Sequence, residues 1–521
     1  MKSPSAKTLK TVMAIGAIPA VLALLSDDKA LQQYDIYISA VVSLTAWWWA
    51  TREKMVGDIS GLPIILAVVL ASMPAIVSTF APGPVTNDER AYLMQAELFS
   101  TGQLSEPLAE GDLSRAFNRR QVYEDEEKGI RFSKYSPGTS IAMIPSALFG
   151  WPLFSTLLCA LIDLWLVLRI AQMLNFKNDS RLVLILFAAS PFFMLLNTSW
   201  QSEVFSLTAI LAAYYGFLHS RAQSVAWGAL IGAGCGMAFA IRPLTGLVFA
   251  AIFGLTMLRN GMFKQTMLAI AGGLPFLCGI LYFNAITTGD MLTATYELYA
   301  AKNTPFDVYG NGDMLDGLLR QAGRWSVAFG GMLGAVALAF WGAWRLRVKD
   351  GGVAIAAAIV LPVVYSLHWY AGHRLYLGPL YVVETLPLLT IGFVFLLQTA
   401  PEKVKRALPL AMLSFAGIMF VARLDLIQLD AVQRAEPQIA ILKQDIPPRS
   451  VVFVPSKKNG DPNKAFKHWT PSRPGDLLTD EVVVLRSSKR LPPEKLVSDL
   501  GLQGRNLYSY DPVTQSLSLI E

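Results

Sequence analysis

Charge is what this chain has least of. Asp, Glu, Lys and Arg make up 16% of its 521 residues, against about 25% in an ordinary soluble domain. Hydrophobic residues reach 53%, an excess that one soluble core cannot bury. The three cysteines, Cys159, Cys235 and Cys278, each lie inside an apolar block, with no CxxC pair and no Cys/His cluster. Disulfides and a thiolate metal site are therefore not expected. No run of basic residues supports nucleic-acid binding, and the net charge of +6 reports topology first in a membrane protein. No internal repeat is visible, as a transporter built from related halves would show. The glycines of "GALIGAGCGMAF" fall inside a span, where Gly232 and Gly236 suit close helix packing rather than a nucleotide loop.

What is present is a series of long apolar blocks, and a hydrocarbon core of about 30 Å takes roughly 20 helical residues to cross. The spans read as 11–25, 35–50, 62–80, 152–172, 182–197, 204–220, 223–240, 243–258, 265–286, 323–343, 351–367, 380–398 and 407–423. The expectation is an α-helical polytopic membrane protein of about 13 transmembrane helices. Lys2, Lys7 and Lys10 precede the first block, but no small-residue cleavage site follows, so it reads as a retained helix. With a cytoplasmic amino terminus, Arg52/Lys54, Lys177/Arg181, Arg221, Arg259/Lys264, Arg345/Arg347/Lys349 and Lys403/Lys405/Arg406 all fall on the inner side. Trp47, Trp48 and Trp49 beside Arg52 read as an interfacial belt rather than a sugar platform.

This parity puts residues 81–151, the loops 287–322 and 368–379, and the tail 425–521 on the outer face. Residues 1–424 form the membrane domain, with 81–151 as its first outer loop. The tail reads as a small α/β domain, its strands expected at 450–455, 481–486 and 516–520.

Three outer stretches carry chemistry. In "GPVTNDERAYLMQAELF", Asp88 and Glu89 open an amphipathic helix. Thr86 and Glu89 have capping-box spacing, which leaves Asp88 unexplained; a carboxylate there could take a proton from an acceptor hydroxyl. In "GIRFSKYSPGTSIAMIPSALFG", Arg131 and Lys134 precede a Pro-Gly turn and an apolar segment too short to span. Such cations either snorkel or hold a lipid phosphate. In "HWYAGHRLYLGPLYVVETLP", His368, His373, Arg374, Tyr376 and an intramembrane Glu384 come together, and an acid within a span marks a candidate functional site. The His368/His373 spacing is not a recognised metal-ligand pair. Glu203 and Arg242 stand at expected outer helix ends, where a second phosphate contact competes with a structural salt bridge.

In this order the motifs resemble the GT-C glycosyltransferases that use polyprenyl-phosphate sugars, the broad family of protein mannosyltransferases and aminoarabinose lipid A transferases. The resemblance covers about residues 62 to 398. It is carried by Asp88-Glu89 with Tyr92, "SKYSPGTS", Arg242-Pro243, "LYFNAITTGD", and His373-Arg374 with Tyr376 and Pro379. It implies Asp88 as catalytic base, Glu89 and Tyr92 in support, and Lys134, Arg242 and Arg374 on the lipid phosphate. The candidate binding set as a whole adds Arg131, Tyr135, His373 and Tyr376, with Glu203 and Glu384 supporting. The implied reaction is inverting transfer from a polyprenyl-phosphate sugar to a glycan, lipid or protein. The aminoarabinose transferases carry Glu-Lys-Pro-Pro where this chain has Ser133-Lys134-Tyr135-Ser136-Pro137, so no metal site is carried over and divalent-metal dependence stays open. A transporter or flippase of lipid-linked saccharides is the alternative.

Overall fold

The computed structural model describes residues 86–303, 333–366, 380–400, 444–455 and 473–520, with short gaps inside these ranges, and isolated residues between 314 and 329 and between 405 and 412. The spans read at 11–25, 35–50 and 62–80, all but single residues of 407–423, and the loop holding His368, His373, Arg374 and Tyr376 lie outside the described residues.

In chain order the elements are α1 (Asn87–Ser100), β1 (Glu106–Pro107), a 3-10 helix (Gly111–Ala116), β2 (Val122–Asp125), β3 (Ile130–Ser133), α2 (Gly138–Ala142) and α3 (Ile144–Leu148). The apolar series follows: α4 (Phe154–Met173), α5 (Ser180–Ala188), α6 (Pro191–Leu196), α7 (Ser202–Ala222), α8 (Trp227–Ile241), α9 (Pro243–Arg259) and α10 (Phe263–Thr288). Then come α11 (Thr295–Asn303), α12 (Leu333–Asp350), α13 (Val353–Ser366), α14 (Thr385–Leu397), β4 (Ser450–Pro455), β5 (Val482–Ser487), α15 (Pro493–Asp499), β6 (Asn506–Asp511) and β7 (Ser516–Leu519). Among the described residues, α4 and α10 are long and apolar enough to cross a membrane, and α8, α9, α13 and α14 are shorter apolar helices.

Two compact units share the chain: 1–78, 153–281 and 306–427 in one, and 79–152, 282–305 and 428–521 in the other. The sequence places a boundary at 424/425, with 81–151 as an outer loop of the membrane domain; in the packing, 79–152 groups with the tail, and the contacts are apolar. Ala116, the last residue of the 3-10 helix, and Phe117, which follows it, are buried with Val451, Phe453, Val483 and Leu485 of the tail sheet.

That sheet has strand order β5-β4-β6-β7, with β4 parallel to both β5 and β6 and β7 antiparallel. Val451 and Phe453 face one core while Val452 and Val454 face another. Burial on both faces is what an unbroken apolar strand in the middle of a parallel sheet requires. Strand β6, "NLYSYD", was not foreseen. Its Asn, Ser and Asp are poor strand formers, and only pairing with β4 and β7 recruits it.

In the apolar helical unit, glycine sets how closely α8 and α10 approach. A Cβ on Gly232 would run into the Ala269 carbonyl oxygen, so the backbones touch there as small-residue helix packing predicts. Gly232→Ala should therefore lower the thermal stability of the purified protein by about 1–3 kcal/mol, the usual penalty of overpacking. Gly254→Ala, where a Cβ meets nothing within 4 Å, is the control; equal melting of the two variants would refute the packing account. The span read as 182–197 is two pieces, α5 and α6. The second begins on Pro191, whose missing N–H suits a helix start and not its interior. The span expected to end at 343 continues to Asp350, because polar Arg345, Arg347 and Lys349 end the apolar run without ending the helix. Gly351 and Gly352, at φ +71° and +87°, end it.

Candidate active site

The first functional cluster is built around the start of α1. Thr86 caps the helix: its Oγ1 accepts from the Glu89 N–H at 3.2 Å, and Glu89 Oε2 accepts from the Thr86 N–H at 2.9 Å. Glu89 is thus buried as the reciprocal half of a capping box, and its carboxylate serves the helix. Asp88, one residue earlier, points elsewhere and stays partly exposed. Its Oδ1 accepts from Gln121 Nε2 at 2.9 Å. Burial raises the Tyr135 hydroxyl well above its ordinary pKa, and the nearby Asp88 adds to the effect. Tyr92 lays its ring on Tyr135, with centroids 4.6 Å apart.

Strand β3 delivers the cation. It lies between β1 and β2, and Lys134 follows directly from its end. The Lys134 ammonium is buried among three tyrosine rings, 4.9 Å from Tyr135, 4.8 Å from Tyr296 and 4.6 Å from Tyr299. Aromatic faces attract a cation without neutralising it, and among the described residues no carboxylate lies within ion-pairing distance of this one. Burial lowers its pKa to about 8, against the pull of Asp88. Tyr296 and Tyr299 come from α11, which is tied to the same turn by Thr295 Oγ1 donating to the Lys134 carbonyl at 2.9 Å. Neither tyrosine was singled out from the sequence; "TYELYAAKN" has only the i, i+3 placement of its rings as a signal.

Arg131, a candidate phosphate contact in the sequence, is paired within its own unit. Its Nε donates to Glu106 Oε1 at 2.7 Å, and both side chains are 2% exposed. The two residues face each other across β1 and β3, so its guanidinium is already matched inside the unit.

The second cluster belongs to the apolar helical unit. Pro243 forces extended backbone on the residue before it, and Arg242 has φ −137° and ψ 91° between α8 and α9. Its guanidinium donates to Glu384 Oε1 at 3.1 Å and to the Tyr381 carbonyl at 3.2 Å. Glu203 Oε1 lies 3.9 Å away, and the rings of Tyr365 and Tyr381 lie at 5.2 and 5.4 Å. Ser206 donates to the same Glu384 oxygen. The salt bridge that competes with a phosphate role for Arg242 is therefore formed, and it joins Glu203, Arg242 and Glu384 as one buried set. Among the described residues, no group of three or more His, Cys, Asp or Glu side chains could hold a metal ion.

No protein-family model and no curated protein matches the sequence. Among solved structures, ArnT from Cupriavidus metallidurans bound to undecaprenyl phosphate aligns with a TM-score of 0.55 at 12% identity, over 87% of this chain and 93% of that one. The same protein in its apo state aligns at 0.53 and 13% identity, with the same coverage. At such identities the likeness is one of fold, and the chain has the GT-C fold to which the order of its sequence motifs points.

Proposed function

We propose that this chain is a membrane glycosyltransferase that moves a sugar from a polyprenyl-phosphate donor to a glycan, lipid or protein acceptor on the outer face of the inner membrane. The observation that carries the reading is Asp88 beside Lys134: a partly exposed carboxylate held by a neutral amide, within the electrostatic reach of an ammonium that, among the described residues, no carboxylate pairs. The fold likeness to ArnT bound to undecaprenyl phosphate supports the donor class.

In this reading Asp88 takes the proton from the acceptor hydroxyl as its oxygen attacks the anomeric carbon from the face opposite the phosphate. The bond from that carbon to the phosphate oxygen breaks, its electron pair leaves with the lipid phosphate, and the anomeric configuration inverts. Lys134 meets the charge that grows on the departing phosphate. No acid is needed, because phosphate leaves as an anion. Arg242 already faces Glu203 and Glu384, so a phosphate bound there would share the guanidinium with two carboxylates. Arg374, His373 and Tyr376 complete the implied donor set.

The test is transfer by purified protein in lipid nanodiscs. The donors are a panel of undecaprenyl-phosphate monosaccharides, and the acceptor source is the membrane fraction of a strain lacking the gene. Release of undecaprenyl phosphate that depends on the acceptor is expected. Movement of intact lipid-linked sugar across a vesicle bilayer without release would favour the flippase alternative.

Lys134 gives this reading a pH signature. The ammonium must be protonated to hold phosphate, and its pKa of about 8 means that the charged fraction falls as pH rises through that value. The donor KM should climb above pH 8, approaching about 10-fold per pH unit. Lys134→Arg keeps its charge throughout, so its KM should be flat over the same range. Parallel profiles for the two proteins would remove Lys134 from the phosphate.

A further inference from the structure

Two non-glycine residues among those described have positive φ, Gln121 at +63° and Arg449 at +58°. In an L-residue this conformation crowds Cβ against the backbone, and glycine adopts it freely. The same segment places glycine at its other left-handed turns, Gly102 at +76°, Gly111 at +53° and Gly129 at +63°. Gln121 is the exception, and what it has that glycine lacks is a side chain whose amide donates to Asp88 Oδ1 at 2.9 Å. Backbone strain of this kind persists where the surroundings impose it, and it concentrates at functional sites.

The main chain of Gln121 makes a second connection. Its carbonyl accepts from the Lys134 N–H at 3.0 Å, at the point where Val122 and Ser133 begin the β2–β3 pairing. One residue therefore touches both candidate groups, the carboxylate through its side chain and the cation's backbone through its carbonyl. The donor to Asp88 is neutral. A neutral amide fixes the carboxylate plane and leaves its full charge for an acceptor proton, whereas a cation at that place would make the base weaker.

We propose that Gln121 is a positioning residue for transfer, holding the Asp88 carboxylate and the Lys134 backbone in one register. This rests on the reading of Asp88 as base. Among the described residues, the ionisable groups around the pair include Lys134, Tyr135 and Tyr92 on the near side and Tyr296 and Tyr299 from α11; none of these is changed in the variants below.

The experiment compares Gln121→Gly, Gln121→Glu and Asp88→Asn in the nanodisc assay, with melting temperature measured for each. Glycine relieves the left-handed strain, so Gln121→Gly should melt at or above the wild-type temperature. It should nonetheless lose about 10- to 100-fold in kcat with the donor KM little changed, as misplacement of a reacting group costs. Gln121→Glu sets a second carboxylate against Asp88 and should move the acidic limb of the pH–kcat profile upward by about one unit or more. A purely structural role moves neither readout. If Gln121→Gly and Gln121→Glu keep the wild-type kcat and acidic limb while Asp88→Asn is inactive, the proposal is wrong and the base assignment stands. If Asp88→Asn is itself fully active, the base assignment falls and this proposal falls with it. Should Gln121→Gly melt lower than wild type, the acidic limb of Gln121→Glu decides alone.

Discussion

Asp88→Asn should lower kcat by about 100- to 10,000-fold, the range that a positioned general base contributes, while the protein folds normally. The substitution keeps the shape of the side chain, and its carbonyl oxygen can still accept from Gln121 Nε2, which reaches Asp88 across 33 residues of sequence. The capping box is untouched, because Thr86 and Glu89 make it and Asp88 does not. The donor KM should change little at neutral pH. At alkaline pH it should change in a particular direction: Asp88 is the group that holds the Lys134 pKa up against burial, so its neutralisation should move the rise in KM to lower pH. In cells, at matched protein level, one glycoform should disappear while a lipid-linked sugar accumulates. A wild-type kcat would reduce the Asp88-Glu89 pair to a helix start and return weight to transport or assembly.

The second large effect is on stability. Arg242→Met should destabilise the protein by about 3–5 kcal/mol, the cost of removing one partner from a buried ion pair. It leaves Glu203 and Glu384 facing each other without their cation, both nearly or fully buried. Restoring the balance should restore the fold. Arg242→Met combined with Glu384→Gln should recover part of the lost melting temperature, since the glutamine can still accept from Ser206, whose Oγ lies 2.6 Å from the Glu384 carboxylate. Melting in detergent with and without undecaprenyl phosphate separates the roles. A single variant that melts like wild type and fails to be stabilised by undecaprenyl phosphate would make Arg242 a phosphate ligand and not a structural one.

The two clusters differ in how much of them could be read in advance. Thr86 and Glu89 are three residues apart, and a helix start satisfies its first amides locally, so their pairing follows from spacing alone. The apolar helices likewise follow from composition: their positions agree with the blocks of the sequence, for example Phe154–Met173 against 152–172 and Val353–Ser366 against 351–367. Helix ends agreed less well where polar residues continue the helix, as at Leu333–Asp350. Strand β4 was legible because both its faces are apolar; β6 was not, because the neighbours that recruit it lie elsewhere in the chain.

By itself, then, the sequence determined the chain's helical and apolar character, the cap at Thr86 and the tail strands with continuous apolar runs, and it marked Asp88 and Lys134 as candidates. The tertiary structure decided which charges are already matched. Arg131 and Lys134 are three residues apart and look alike in sequence, yet one faces Glu106 across a strand pair and the other faces three tyrosine rings. The partners are remote: Thr295 of α11 bonds the Lys134 carbonyl from 161 residues away, and Glu384 meets Arg242 across 142. Local periodicity records which side of a helix or strand a residue occupies, but not which distant side chain the fold sets against it. The charge left for chemistry depends on that second fact.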